Sequence, residues 1–418
     1  MLKEFRIKNF KSINEEQIFS MEACPKKEVS EYPDHVLNIH GERLLKVSSF
    51  YGPNGGGKTT IIDALITISR IIQGRPLINL TFGTDSEIPC KFSESKETTA
   101  EMFFVTEKYE IGYSFVANLS GTRNMIDSLN GQTTILLNPV IIREEMVLIE
   151  EDGNQTIIFE RDERGVVKSD LFKNIDIVKS KRSLQSSLTF LSYFAKTFDR
   201  KTNEAIFELY DELKNILVLN KESNCYYFSA DDVAILNPNL NKVVEILNGF
   251  DFRIQKLGFK QFGVGKYVLC VDRLAKDGKK TSIQFINESS GTRKIINLLF
   301  DVVNAKKSAV FIADDFDSHL HPKLIRAIIE LFTSEKNINK QLIFNSHDIT
   351  NMNNLVFRRD EIWFAYRDDN YASQYVPLSS IVNYKGEMVR KDAKYGKQYL
   401  EGKYGADPFI KQGLSWSK

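Results

Sequence analysis

The sequence predicts an α/β protein whose core sheet is split between two distant parts of the chain, with a mixed β-rich and helical lobe inserted between them. Three observations predict this. First, an apolar strand pattern over Leu44–Tyr51 breaks at Gly52-Pro53-Asn54-Gly55-Gly56-Gly57 and resumes as an apolar helix over Thr59–Ile72. Second, helical and strand patterns alternate beyond residue 290, as they do in a parallel sheet. Third, the stretch between them reads first as strands and then as helices.

Taken in order, Leu2–Phe10 alternates in strand fashion. Strand patterns follow at Glu101–Val105, Ile111–Ala117, Val147–Glu150 and Thr156–Glu160, the last two flanking an Asp152-Gly153 turn. An apolar stripe at Ile206, Leu209, Tyr210, Leu213, Ile216 and Leu217 has helical spacing and reads as core. Phe252–Phe259, Tyr267–Asp272 and Thr281–Ile286 return to strand character, with a Lys276-Asp277-Gly278 turn before the third. A helix over Arg293–Val303 and a strand ending at Ala313 come next.

Composition describes an ordinary globular chain of 418 residues, 42% apolar and 27% charged, which excludes a disordered or fibrous class. The 56 basic and 55 acidic residues nearly cancel, so overall charge does not point to nucleic acid. Cys24, Cys90, Cys225 and Cys270 are widely spaced, which argues against a zinc or disulfide framework and for reduced thiols. No run of 18 apolar residues and no signal-type leader is present, so a cytoplasmic protein without a membrane partner is expected.

Gly52-Pro53-Asn54-Gly55-Gly56-Gly57-Lys58-Thr59 satisfies GxxxxGK[ST] in full. Glycines let backbone amides converge on phosphate oxygens, and the following helix adds its positive end. Asn54, Gly55, Gly56, Gly57, Lys58, Thr59 and Thr60 are therefore the expected ATP-binding residues. Lys58 would neutralise phosphate and the Thr59 hydroxyl would ligate Mg²⁺. Val310–Asp315 is a buried-strand run ending in two acids: Asp314 is placed to hold Mg²⁺, and Asp315 to orient the attacking water.

Glu288-Ser289-Ser290-Gly291-Thr292-Arg293 stands between these motifs and resembles the ABC signature, usually LSGGQ. Alone, such a tetrapeptide is most often a helix cap or turn; its position makes it informative. The resemblance implies that Ser289, Ser290 and Gly291 contact the γ-phosphate of ATP held by a second protomer. His347, which ends the strand pattern Leu342–Asn345, resembles the switch histidine, and Asp317–Pro322 resembles the D-loop. Lys58, Asp315 and His347 are thus the expected catalytic residues. His319 and His321 lack a third spaced ligand for a metal reading. Gln73 is the glutamine nearest behind the loop helix, and no Q-loop residue is assigned.

The opening LKEFRIKNFKSI resembles the RecF/SMC-like group of ABC-type P-loop ATPases. ESSGTRKIINLLFDVV, IADDFDSHLHP, QLIFNSHD, FRRDEIWF and YLEGKYGADPF resemble ATPases of bacterial abortive-infection and anti-phage systems, relatives of the overcoming-lysogenisation-defect proteins. The implied domains are 1–87 and 252–380 for the two parts of the ATPase core, 88–251 for the inserted lobe, and 381–418 for a basic, Tyr-rich tail. The implied function is an ATP-driven head-to-tail homodimer, or a higher oligomer, that serves as sensor or scaffold and controls a separately encoded effector nuclease or toxin. Asp315 stands where the family carries glutamate, one methylene longer, so slow hydrolysis is expected. With 71 residues after His347, no appended nuclease is expected. Arg390, Lys391, Lys394, Tyr395, Lys397, Tyr399, Lys403 and Tyr404 could dock the effector or a nucleic acid, or form a solvated helix and tail. A DNA-repair ATPase clamping duplex is the alternative function.

Overall fold

The computed structural model describes residues 1–24, 32–75, 88–120, 122–126, 133–137, 139–164, 166–169, 187–219, 227–275, 277–306, 308–336, 339–382 and 386–406. Cys225, Lys276 and residues 407–418 of the expected tail lie outside them.

Two sheets enclose the glycine-loop helix. One has six strands in the order Ile216–Val218, Ala309–Ala313, Lys340–Asn345, Val47–Tyr51, Ile362–Arg367 and Ser373–Pro377. All its pairings are parallel except the last. Val47–Tyr51 and Ala309–Ala313 are buried along their whole length, as a sheet covered on both faces requires. The other sheet has seven strands in the order Val167–Lys168, Gln155–Arg161, Val140–Ile149, Glu110–Asn118, Glu97–Val105, Leu2–Lys8 and Gln17–Ser20. Its pairings are antiparallel throughout.

Lys58–Ile72 forms a helix between the two sheets. Ile61, Ile62, Leu65, Ile68 and Ile72 are fully buried there with Phe5, Phe50, Phe104 and Phe115. Burial of each such side chain is worth about 1.5–3 kcal/mol. A second core lies beyond the parallel sheet, where helices Ser290–Asn304 and Pro322–Thr333 cover Phe311, Phe344 and Phe364.

The expected boundaries at residues 88 and 251 are not sheet boundaries. Glu97–Val105 pairs with Leu2–Lys8, so the β-rich stretch continues the N-terminal strands instead of forming a sheet of its own. Ile216–Val218 pairs with Ala309–Ala313 and so belongs to the parallel sheet.

Three local expectations are corrected. The helix carrying the stripe spans Glu204–Lys214, and Ile216 and Leu217 lie in a strand; the apolar spacing continues because both elements bury their residues. Leu44–Tyr51 is two strands, Glu42–Leu45 and Val47–Tyr51. The first pairs with Val36–Ile39 and the second with Lys340–Asn345, so the chain changes sheets at Lys46, whose Nζ donates to Ser334 O at 3.0 Å. The helix expected from Arg293 starts at Ser290, because Ser289 is its cap.

Candidate functional site

Parallel pairing places the C-terminal ends of adjacent strands side by side, where open α/β sheets bind ligands. Phe344 pairs with both Ala313 and Ser49, and Asn345 with Phe50. The glycine loop, the two acids and His347 therefore leave the sheet at one edge.

The loop fits closely against the neighbouring strand. Gly52 has φ +148°, and a Cβ there would lie 2.0 Å from Ala365 O. Arg367 Nε donates to Gly55 O at 2.5 Å, and the Tyr375 hydroxyl donates to Gly57 O at 2.7 Å. Gly57 caps the helix with no side-chain bond, which leaves the first helical amides available to an anion. Lys58 Nζ donates to Gly52 O at 2.8 Å and Pro53 O at 3.0 Å. Burial holds its pKa below the ordinary lysine value, while Asp315, Asp317 and Asp314 act in the opposite direction. Asn54 and Gly55 are exposed. The Thr60 hydroxyl is 3.1 Å from that of Ser12, which in turn is 2.7 Å from that of Ser373.

The Thr59 hydroxyl donates to Asp314 Oδ1 at 3.0 Å. A hydroxyl and a carboxylate at this spacing are hard oxygen donors suited to Mg²⁺, which commonly takes few protein ligands and completes its shell with water and phosphate. Among the described residues no group of three or more His, Cys, Asp or Glu could hold a metal. His321 caps helix Pro322–Thr333, its Nδ1 accepting from Lys323 N.

Asn345, which sequence reasoning missed, organises both acids. Its Nδ2 donates to Asp314 Oδ1, and its Oδ1 accepts from Asp315 N, both at 2.5 Å. Asp315 is held at φ 45° in the left-handed region, and its exposed carboxylate is 3.8 Å from His347 Nε2. Asp317 Oδ2 accepts from His347 N at 3.1 Å and Asp348 N at 2.9 Å, anchoring the histidine segment. Asn345 lies in a strand whose end is fully buried, and a polar residue there was the one available signal.

Ser289 and Ser290 are exposed, and Gly291 is partly so. The Ser289 hydroxyl caps helix Ser290–Asn304 by accepting from Thr292 N at 3.2 Å. Arg273 forms a bidentate ion pair with Glu288, the residue before it. Gln73 lies in the core, its Nε2 donating to Leu213 O at 2.8 Å, and takes no part in the site.

The tail reading is corrected where the chain is described. Tyr395, Tyr399 and Tyr404 are buried, and the Tyr399 ring stacks on Phe364 at 5.5 Å. Arg390 pairs with Asp392, and Lys397 and Lys403 both pair with Glu401. Aromatic residues needed for the core are not free to stack on bases.

Glycine loop, acids and histidine at the C-terminal edge of a parallel sheet define an ABC-type P-loop ATPase fold. The family described as "AAA domain, putative AbiEii toxin, Type IV TA system" matches residues 47–352, and the chain belongs to it. No curated protein matches the chain. Among solved structures, the SMC head domain from Thermotoga maritima is 14% identical, with 90% of this chain and 98% of that one covered and a TM-score of 0.40. An Smc head bound to the C-winged helix domain of ScpA is 14% identical, with coverage of 90% and 96% and a TM-score of 0.43. An Smc head with an extended coiled coil, bound to the C-terminal domain of ScpA derived from Pyrococcus furiosus, is 12% identical, with coverage of 90% and 95% and a TM-score of 0.34. Among the described residues no helix is long and apolar enough to cross a membrane.

Proposed function

We propose that the protein binds ATP with Mg²⁺ on the glycine loop and closes head to tail with a second copy, each protomer lending its Ser289 loop to the other's nucleotide. In this reading Lys58 and the loop amides grip phosphate, and Thr59 and Asp314 hold Mg²⁺, which when bound neutralises phosphate charge. Asp315 orients water with His347 beside it, and Asp317 keeps that histidine in place. The observation that carries the reading is Asp314 Oδ1, which accepts from both Thr59 on the loop helix and Asn345 on the neighbouring strand. Asp314 thereby joins the loop helix to the strand that leads to His347. We further propose an ATP-driven sensor or scaffold in an anti-phage abortive-infection system, acting on a separately encoded effector nuclease or toxin; the family description, which names a putative toxin and a type IV TA system, supports a place in such a system.

Mixed dimers test the composite site. Lys58→Ala disables the gripping half and Ser289→Arg disables the lent half, so each variant alone should lack ATPase activity. A mixture should regain activity, because one site of each mixed dimer unites two intact halves. Mixed dimers that form but stay inactive would refute the composite site. The effector role is tested by ATP-dependent co-purification with the product of a flanking gene, which Lys58→Ala should abolish. Equal recovery with and without ATP would count against that role.

A further inference from the structure

Lys294 lies in the second turn of the helix that Ser289 caps. Its Nζ donates to Asp315 O at 3.0 Å, Ser318 O at 3.1 Å and Ser318 Oγ at 2.8 Å. The side chain thus leaves the helix that presents the serine loop and grips the backbone carbonyl of the acid beside His347. A second observation shows the same union without involving that lysine. A Cβ on Gly291 would lie 2.5 Å from His319 O, so the serine loop and the segment 315–319 meet backbone to backbone. Asp315 and His319 both hold positive φ, 45° and 63°, a conformation that persists only where surrounding contacts fix it.

Resting on the proposed head-to-tail dimer, the consequence is geometric. In one protomer, Asp315 serves the nucleotide on that protomer's own glycine loop, whereas Ser289 serves the nucleotide across the interface. We propose that Lys294 is a positioning residue that makes these two groups one moving unit, so that the two sites of the dimer load cooperatively. Seating the serine loop on one nucleotide bears, through Lys294, on segment 315–319 beside the other. By reciprocity, loading the second site strengthens the first, a coupling usually worth about 5- to 150-fold in affinity.

The test is the ATP dependence of hydrolysis by the full chain, with dimer formation followed by light scattering. The wild type should dimerise with ATP and show a Hill coefficient approaching about 2, the number of sites. Lys294→Met should still dimerise, with a Hill coefficient near 1 and half-saturation raised about fivefold or more. Lys294→Arg should recover part of the cooperativity, because a guanidinium keeps donors in reach of the same oxygens. If Lys294→Met fails to fold, Ser318→Ala serves instead; it removes one acceptor without touching the helix and should lower the Hill coefficient in part. A folded Lys294→Met or Ser318→Ala dimer with unchanged cooperativity overturns this inference alone. A wild type that does not dimerise with ATP overturns both it and the proposed function.

Discussion

Around the glycine loop, distant stretches of chain bond to one another: the Ser12 hydroxyl meets that of Ser373, and the Tyr375 hydroxyl donates to Gly57 O. Around the serine loop, by contrast, Ser289 and Ser290 face solvent, and the Ser289 hydroxyl caps its own helix. The first region is a preorganised grip, its loop pressed against Ala365 and its acids fixed by Asn345. The second is secured from behind by Lys294 and the close approach at Gly291, while Ser289 and Ser290 stay exposed. Groups fixed in advance bind without paying for ordering at that moment. Nucleotide capture should therefore be a property of one protomer, and closure a separable second event.

The sharpest way to break that separation is at Gly52. Gly52→Ala must displace Ala365 O from 2.0 Å while also accommodating φ +148°. Strain and overpacking together should cost about 3 kcal/mol or more. Calorimetric titration with ATP·Mg²⁺ should give no detectable heat, and the thermal midpoint should fall by several degrees. A variant that binds ATP normally would contradict the tight loop.

Asn345→Ala probes the grip more finely. It removes the donor to Asp314 and leaves Asp315 N–H without its partner, a loss of about 1–3 kcal/mol. Hydrolysis should fall about 10- to 100-fold, with ATP affinity changed much less. An equal loss in both would mean that Asn345 supports the fold and not the acids.

On the other side of the comparison, Gly291→Ala pushes the serine loop off His319 O, now 2.5 Å from where a Cβ would stand. Dilute protomers should bind ATP normally, while ATP-dependent dimerisation weakens about tenfold, as expected when an interface loop is displaced by a fraction of an ångström. Reduced affinity in the dilute protomer would erase the distinction between the two regions.

The smallest effect is a pH dependence. Burial lowers the Lys294 pKa to about 8, against the opposing pull of Asp317, Asp315 and Asp314. As pH rises through that value the ammonium becomes an amine with two donors for three oxygens, so its hold on segment 315–319 weakens. Cooperativity in ATP should decline between about pH 7 and 9 in the wild type and stay flat in Lys294→Arg, whose guanidinium stays protonated throughout. Equal slopes for the two proteins would assign the titration to another group.

Much of this was legible residue by residue. GxxxxGKT between a strand and an apolar helix marks a phosphate-binding loop from adjacent residues. The acids after Ile312 and the histidine after Asn345 stand where buried strands surface. Periodicity failed where the environment overrode it. Ile216 and Leu217 extend a helical stripe yet lie in the parallel sheet, and the strand-like Leu44–Tyr51 divides because its halves pair with different partners. The tail tyrosines read as a basic, aromatic docking surface, but burial against Phe364 is a property of the packed chain.

By itself the sequence determined the α/β class, the glycine loop, and the identity and order of the acids and the serine loop, because each depends on a few adjacent residues. Tertiary structure alone decided that Asn345 bonds both acids, that Asp317 holds the histidine segment, and that Lys294 ties the serine helix to residues 315–318. Those partnerships come from strand register and helix packing, which bring together residues with no common pattern along the chain.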